Sequence, residues 1–371
     1  MRIGILTLPL HTNYGGILQA YALQTVLKRI GHEVHVIEKK RQPLFLPIQK
    51  IPLCYGKRIV KNLVGRKCPI FYEQKYNRER PIIQQNTDKF IRKYINLNIY
   101  KEFSDIKESE YDAIVVGSDQ VWRPKYFGQN QIENAYLKFA EGWNIKRIAY
   151  AASFGTDEWE YTSEQTKECG RLLRMFDTVS VREDSGVDLC KRHFGVEVQH
   201  VLDPTMLLDK EDYIKLFEAA DTPKSKGNLL CYILDETEEK KALIKRIADE
   251  KGLKPFNVKS QSDDINSPVS ERIQPPLEQW LRGFYDAEFV VTDSFHACVF
   301  SILFNKPFIV YGNIERGLSR FTSFLEIFGL KDVLFTNMSG DIQLKDFNWT
   351  KINSSLSGKR QSANLFLNLL K

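Results

Sequence analysis

Short apolar runs alternate along this chain with longer stretches that carry a helical repeat. The first run, residues 3–7, ends in the polar turn Thr12-Asn13-Tyr14-Gly15-Gly16. Ile17, Leu18, Tyr21, Leu23, Val26, Leu27 and Ile30 then recur at three- and four-residue steps, which predicts a helix that Gly31 stops. Val34, Val36 and Ile37 follow as a second strand, and strands joined through a helix pair in parallel. The alternation predicts further strands over Ala113–Val116, 147–151, Thr178–Val181 and 198–202, with helices over 163–176 and 186–194. A polar cluster, Asp221-Thr222-Pro223-Lys224-Ser225-Lys226-Gly227, interrupts it. It then resumes with a strand over 229–234, a Lys/Glu-rich helix over Glu238–Lys251, and strands over Phe289–Thr292 and Phe308–Tyr311.

This pattern divides the chain into a first domain, 1–208, a linker, 209–227, a second domain, 228–340, and a tail, 341–371. The tail carries a helix over 363–370 that packs back on the first domain. The fold class is α/β, with two Rossmann-like doubly wound domains facing a cleft, a glycosyltransferase-B-like arrangement. A length of 371 residues suits two domains. No run of about 18 apolar residues occurs, so no membrane span is expected. The N-terminus turns polar too quickly for a signal peptide, and six scattered cysteines without C-x-x-C spacing fit reduced thiols in a cytoplasm.

Net charge is +6, from 53 basic and 47 acidic residues, a mild bias toward anionic partners with no expectation of nucleic acid. One segment departs from that balance. Residues 39–101 hold 16 Lys or Arg against Glu73, Glu79 and Asp88, and mix Phe45, Leu46, Ile48, Ile51 and Leu53 with Lys57, Arg58, Lys61, Arg66 and Lys67. Two readings stand. One is an insertion with solvated charges and a few buried anchors; the other is a surface for anionic phospholipid or a lipid diphosphate.

Ligands of doubly wound sheets bind beyond the carboxyl ends of the strands. Those ends are polar or glycine-rich: Asn13-Tyr14-Gly15-Gly16, Gly117-Ser118-Asp119-Gln120, Ser153-Phe154-Gly155, Arg182-Glu183, Asp203-Pro204-Thr205 and Asp293-Ser294-Phe295-His296. Gly15-Gly16 at a helix start suits close approach to an anion, or a tight turn; neither G-x-G-x-x-G nor a Walker lysine accompanies it. Arg182 fits a bidentate clamp on carboxylate or phosphate, or an ion pair with Glu183 or Asp184. His296 opens an apolar helix and fits a proton donor, or a capping histidine. Arg316 and Arg320 at the start of another helix oppose its dipole, a conflict that a bound anion or plain solvation would resolve. No His/Asp cluster has metal-ligand spacing.

Five motifs in this order resemble the polysaccharide pyruvyl transferases: Asn13 to Gln24, Val116-Gly117-Ser118-Asp119-Gln120-Val121-Trp122, Ser180-Val181-Arg182-Glu183, Val201-Leu202-Asp203-Pro204-Thr205 and Thr292-Asp293-Ser294-Phe295-His296. The resemblance implies phosphoenolpyruvate as donor, without a further cofactor, and transfer of its pyruvyl group to two hydroxyls of a sugar as a cyclic ketal. It places the enzyme in capsule, exopolysaccharide or cell-wall polymer synthesis; repeat units of such polymers are built on lipid diphosphates, so a lipid-linked acceptor is expected, and the basic, apolar residues 44–67 suggest peripheral contact with an anionic membrane. The resemblance sets the acceptor beside the first domain and the donor beside the second. The family's donor arginine carries over to Arg182 and its histidine to His296. Many members have an arginine where this chain has Ser294, so either a hydroxyl takes that place or another cation, such as Arg320, compensates. The expected donor site is then Arg182, Ser294, Phe295, Arg316 and Arg320. Asn13, Tyr14, Gly15, Gly16, Ser118, Gln120 and Trp122 are expected to meet the acceptor, with His296 as general acid and Asp119 as general base.

Two rivals remain at this level. A nucleotide-sugar glycosyltransferase would use the same fold, with Glu278 holding a ribose. A non-catalytic scaffold of a polysaccharide assembly complex would use the basic segment as its contact surface.

Overall fold

The computed structural model describes residues 1–127, 131–312, 317–337 and 346–370. Seven parallel strands form the first sheet: β1 (Arg2–Leu6), β2 (Glu33–Lys39), β3 (Leu97–Tyr100), β4 (Ala113–Val116), β5 (Lys146–Ala152), β6 (Thr178–Val181) and β7 (Gln199–His200). Their order is β3-β2-β1-β4-β5-β6-β7. Helices cover both faces, which is why β1 and β4 read as nearly unbroken apolar runs. The second sheet has β8 (Leu229–Tyr232), β9 (Pro255–Phe256), β10 (Phe289–Thr292), β11 (Phe308–Tyr311) and β12 (Leu334–Phe335), ordered β12-β11-β10-β8-β9 and also parallel. Both are doubly wound, and the expected fold class holds. In each sheet the winding reverses beside the first strand, between β1 and β4 and between β8 and β10. A crevice opens at such a point.

Helix α1 (Tyr14–Arg29) follows β1 and buries most of its surface, from Ile17 and Leu18 to Val26 and Leu27. The segment 39–101 is not an insertion outside the fold. It is the crossover from β2 to the edge strand β3, through helices α2 (Ile51–Leu63), α3 (Tyr72–Ile83) and α4 (Gln85–Tyr94). Phe90 and Ile91 of α4 lie in the core, whereas α2 has no buried residue.

The stretch 209–227 is not a plain linker. It contains the helix Lys210–Glu218, whose Tyr213, Leu216 and Phe217 are buried at helical spacing. That pattern had been masked by the polar cluster after it. The last helix, Trp349–Leu367, is longer than expected and returns to the first domain. Arg360 donates to the carbonyls of Met206 and Leu208 at 2.5 Å, and Phe366 packs on Tyr150.

The domains also meet through α3. Glu79 pairs with the buried Arg272, and Lys75 donates to the Ile265 carbonyl at 2.7 Å. No described helix is long and apolar enough to cross a membrane.

Candidate active site

The two reversal points face each other across a cavity of about 870 Å³. From the first domain come Asn13 after β1 and Asp119 after β4; from the second come Leu234 after β8 and Asp293, Ser294, Phe295 and His296 after β10.

Asn13 caps α1, its Oδ1 accepting from Gly16 N at 3.2 Å, and its Nδ2 reaches toward Asp119 Oδ2 at 3.4 Å. Gly15 serves a purpose the sequence did not reveal. A Cβ there would stand 2.0 Å from His296 Nδ1, so the missing side chain lets a ring of one domain lie on the first helix of the other. Asp119 has φ +73°, a left-handed conformation that costs a non-glycine residue roughly 1–2 kcal/mol. The turn is held by Val121 N and Ser153 N, which donate to its carbonyl at 2.7 and 3.1 Å. Asp119 lines the cavity, its Oδ1 accepting from Gln120 N at 2.9 Å.

Beneath lies Asp203, fully buried. Its Oδ2 accepts from Arg182 Nη1 at 2.8 Å and from Ser118 Oγ at 3.1 Å, and stands 3.6 Å from His296 Nε2. Its Oδ1 takes the Thr205 N–H and hydroxyl. Burial alone would raise the Asp203 pKa; His296, Arg182 and Thr205 outweigh it and hold the carboxyl far below the usual range. Burial likewise opposes the charge of Arg182, and Asp203, Asp119 and Glu183 overcome it, holding the guanidinium above its ordinary pKa. Arg182 Nη2 lies 3.6 Å from Asp119 Oδ1.

The aromatic face of Phe295 receives two cations, Arg182 at 4.6 Å and Arg320 at 5.9 Å from its centroid. Arg320 forms no salt bridge among the described residues. Burial, with Arg182 adding repulsion, pushes its pKa down to about 10. Ser294 caps the helix Phe295–Leu303 through its backbone alone; its side chain makes no cap bond. Around Phe295, Arg182 Nε and Nη2, His296 Nε2 and Arg320 Nε are buried without a hydrogen-bond partner among the described residues. Unpartnered buried donors gathered around one ring suit an anion.

The opposite wall is basic, with Lys39, Lys40, Arg41, Arg80 and Lys259 on the cavity. Its field is legible in two neighbours. Burial, then Arg41 and Arg80, lowers the His11 pKa. Burial raises Glu38 to about 7, although Arg41 works against the rise.

Of the residues expected from sequence, Asn13, Asp119, Gln120, Ser294, Phe295, His296 and Arg320 line the cavity. Arg182 lies just under it. Tyr14 turns away, donating to the Pro275 carbonyl at 2.6 Å and packing on Trp280. Trp122 is buried against Tyr136, its indole N–H spent on Ala135 O. Ser118 is spent on Asp203, Gly15 is covered by His296, and Gly16 is buried in the helix cap. These five build the site from behind and offer no surface to an acceptor. Arg316 lies outside the described residues. Glu278 is not on the cavity, which removes the ribose contact imagined for a nucleotide sugar. The sequence pattern gives Asp203 only a turn and no role; of the basic wall, Lys39, Lys40, Arg41 and Arg80 fall in the basic segment 39–101, but their place on the cavity is not visible there.

Residues 13–315 match the model of the family described as polysaccharide pyruvyl transferase. Among solved structures, the chain is similar to a glycosyltransferase from Rickettsia africae ESF-5, with 13% identity, 99% of this chain and 96% of that one covered, and a TM-score of 0.46. It is also similar to Arabidopsis thaliana UGT89C1 complexed with UDP-L-rhamnose, with 11% identity, coverage of 98% and 94%, and a TM-score of 0.49. A UDP-GlcNAc 2-epimerase from Methanocaldococcus jannaschii shows 14% identity, coverage of 96% and 92%, and a TM-score of 0.43. No curated protein matches the chain.

Proposed function

The chain belongs to the polysaccharide pyruvyl transferase family, and from that premise we propose that it moves the pyruvyl group of phosphoenolpyruvate onto two hydroxyls of a sugar, releasing phosphate. The observation that carries this reading is the set of unpartnered donors of Arg182, His296 and Arg320 around Phe295. Phosphoenolpyruvate brings a carboxylate and a phosphate, and two guanidinium groups beside a helix N-terminus are suited to hold both.

In this mechanism His296 gives a proton to the methylene carbon of the donor, and positive charge develops on the carbon that bears the phosphate. A sugar hydroxyl attacks that carbon while Asp119 takes its proton. The carbon–oxygen bond to phosphate then breaks, and the second hydroxyl closes the ketal. One proton enters the methyl group, two leave the hydroxyls, and the excess departs with phosphate. Asp203 touches no reacting atom; it fixes Arg182 and His296 relative to each other.

The basic wall supports an acceptor that itself carries phosphate, and a lipid diphosphate at the inner face of the membrane fits that chemistry. The role is then in capsule, exopolysaccharide or cell-wall polymer synthesis, in the cytoplasm. The test is phosphate release from phosphoenolpyruvate or transfer from a nucleotide sugar, each with candidate acceptors. The reading requires phosphate release and an acceptor that gains the mass of pyruvate less one water. Glycosyl transfer from the nucleotide sugar would overturn it.

A further inference from the structure

Helix α2 buries no residue and turns much of its apolar surface outward. Its inner side, with the half-buried Ile51, Cys54, Tyr55 and Arg58, is held by the packing of Tyr55 on Phe71 and by polar contacts. Arg58 donates to both oxygens of Glu73, at 2.6 and 2.8 Å, and to the Ile70 carbonyl at 2.9 Å. Asn62 exchanges two hydrogen bonds with the backbone of Cys68. The face turned to solvent is apolar. Leu53, Val60 and Leu63 expose 60, 58 and 81% of their surface, Ile59 joins them, and Ile48 and Val64 extend the patch at its ends with 85 and 68%. A surface helix of a globular domain normally shows the reverse. Arg58, which sequence had grouped with the surface cations, is the inward anchor.

The charges say what covers this face. Lys57 and Lys61 flank the apolar stripe, Lys50, Arg66 and Lys67 stand at its ends, and no carboxylate occurs between Glu38 and Glu73. Glu73 is spent on Arg58. A second copy seated with this same face against it would bring cation against cation with nothing to neutralise them. An anionic lipid leaflet satisfies both halves of the pattern, accepting the apolar stripe between headgroups and the lysines at phosphate level.

We propose that α2 is a membrane-docking helix that inserts its outward stripe into an anionic leaflet. Through Glu73 it is tied to α3, and α3 carries Arg80 onto the basic wall of the cavity. Docking therefore holds that wall beside the lipid surface. The inference extends the lipid-linked acceptor reading but is tested without any substrate, so the two fail separately.

The experiment is co-sedimentation of the full chain with vesicles of phosphatidylcholine alone or of equal parts phosphatidylcholine and phosphatidylglycerol. Binding is expected only to the anionic vesicles and should weaken with salt. Leu53→Ser/Val60→Ser/Leu63→Ser should lower it at least tenfold with little change in melting temperature, because those side chains are mostly exposed. Lys57→Gln/Lys61→Gln should weaken the anionic preference by a smaller factor. Equal sedimentation with both vesicle types, or binding unaffected by the serine variant, overturns the proposal. So does a melting temperature lowered by that variant, which would mean that the face is packed. A dimer seen by light scattering without lipid, and broken by the serine variant, gives the face to a second copy and overturns it as well.

Discussion

Arg182 and Arg320 reach the same ring, Phe295, from the two domains, yet their surroundings differ in kind. Arg182 is buried with Asp203 at 2.8 Å and Asp119 at 3.6 Å, and its charge is reinforced. Arg320 has no salt bridge among the described residues; burial and Arg182 disfavour its charge, and Glu183 and Asp119 offset them only in part. A charge already neutralised by the fold belongs to the architecture, although its spare N–H groups remain usable. A charge left uncompensated is a cost to the folded protein, and a ligand of opposite sign removes it. For the proposed donor, Arg320, which lies outside the motifs, is then as strong a candidate contact as Arg182, which lies within one.

The largest expected effect comes from breaking the compensated side. Arg182→Met leaves the buried Asp203 carboxylate with Ser118, Thr205 and His296 but without its guanidinium, and loss of one member of a buried pair costs about 3–5 kcal/mol. Chemical denaturation should show that drop whether or not donor is present. A midpoint unchanged by the substitution would make Arg182 as uncompensated as Arg320 and dissolve the contrast. His296→Gln follows. It removes the proton donor while keeping a side chain of similar length against Gly15, so turnover should fall roughly 10²–10⁴-fold with a smaller change in KM. If KM rises and kcat holds, His296 is a further anion contact and the acid lies elsewhere.

How far the sequence carried this picture depends on the range of the interaction. Strands such as Ala113–Val116 and Phe289–Thr292 were legible to the residue, because a parallel strand covered on both faces is a local apolar run. Gly15 reads as an anion-binding turn or a plain tight turn because only its neighbours in sequence are visible. Its real constraint is an imidazole from residue 296, and nothing in the local pattern carries that distance. Tyr14 and Trp122 looked like acceptor contacts because aromatics near a turn can face either way; Pro275 and Ala135 claim them here. Asp203 was hidden in the opposite sense. Asp before Pro-Thr reads as a turn, and its partners Arg182 and His296 come from elsewhere in the chain. The outward stripe of α2 is visible in the apolar periodicity, but which way it faces is not.

Glu38 offers a smaller test of the same logic on the basic wall. Burial raises its pKa from 4.5 to about 7, so the folded protein prefers it protonated. A raised carboxyl contributes stability that is full below the unfolded value and lost as pH climbs through the folded one. Relative to Glu38→Gln, the parent should therefore lose on the order of 2–3 kcal/mol between pH 5 and pH 8. The two proteins should lie closest near pH 5, with the variant pulling ahead at pH 8. Denaturation curves that stay a constant distance apart across this window would show that Arg41 compensates Glu38 fully, as Asp203 does Arg182.

The smallest effect is the most discriminating. Arg320→Gln removes a cation without a salt bridge among the described residues, so stability without donor should stay level or rise as burial of the charge and repulsion with Arg182 are relieved. Donor binding should move the other way. One charge-assisted contact to a carboxylate or phosphate is worth about 1.5 kcal/mol, so KM for phosphoenolpyruvate should rise roughly tenfold with kcat less affected. The parent should also gain more thermal protection from phosphoenolpyruvate than the variant does, because ligand stabilisation follows affinity. Opposite signs for stability and affinity in a single substitution are the signature of a charge held in reserve for a ligand. If Arg320→Gln instead lowers stability and leaves KM untouched, Arg320 is structural, and the donor must be held by the spare N–H groups of Arg182 alone.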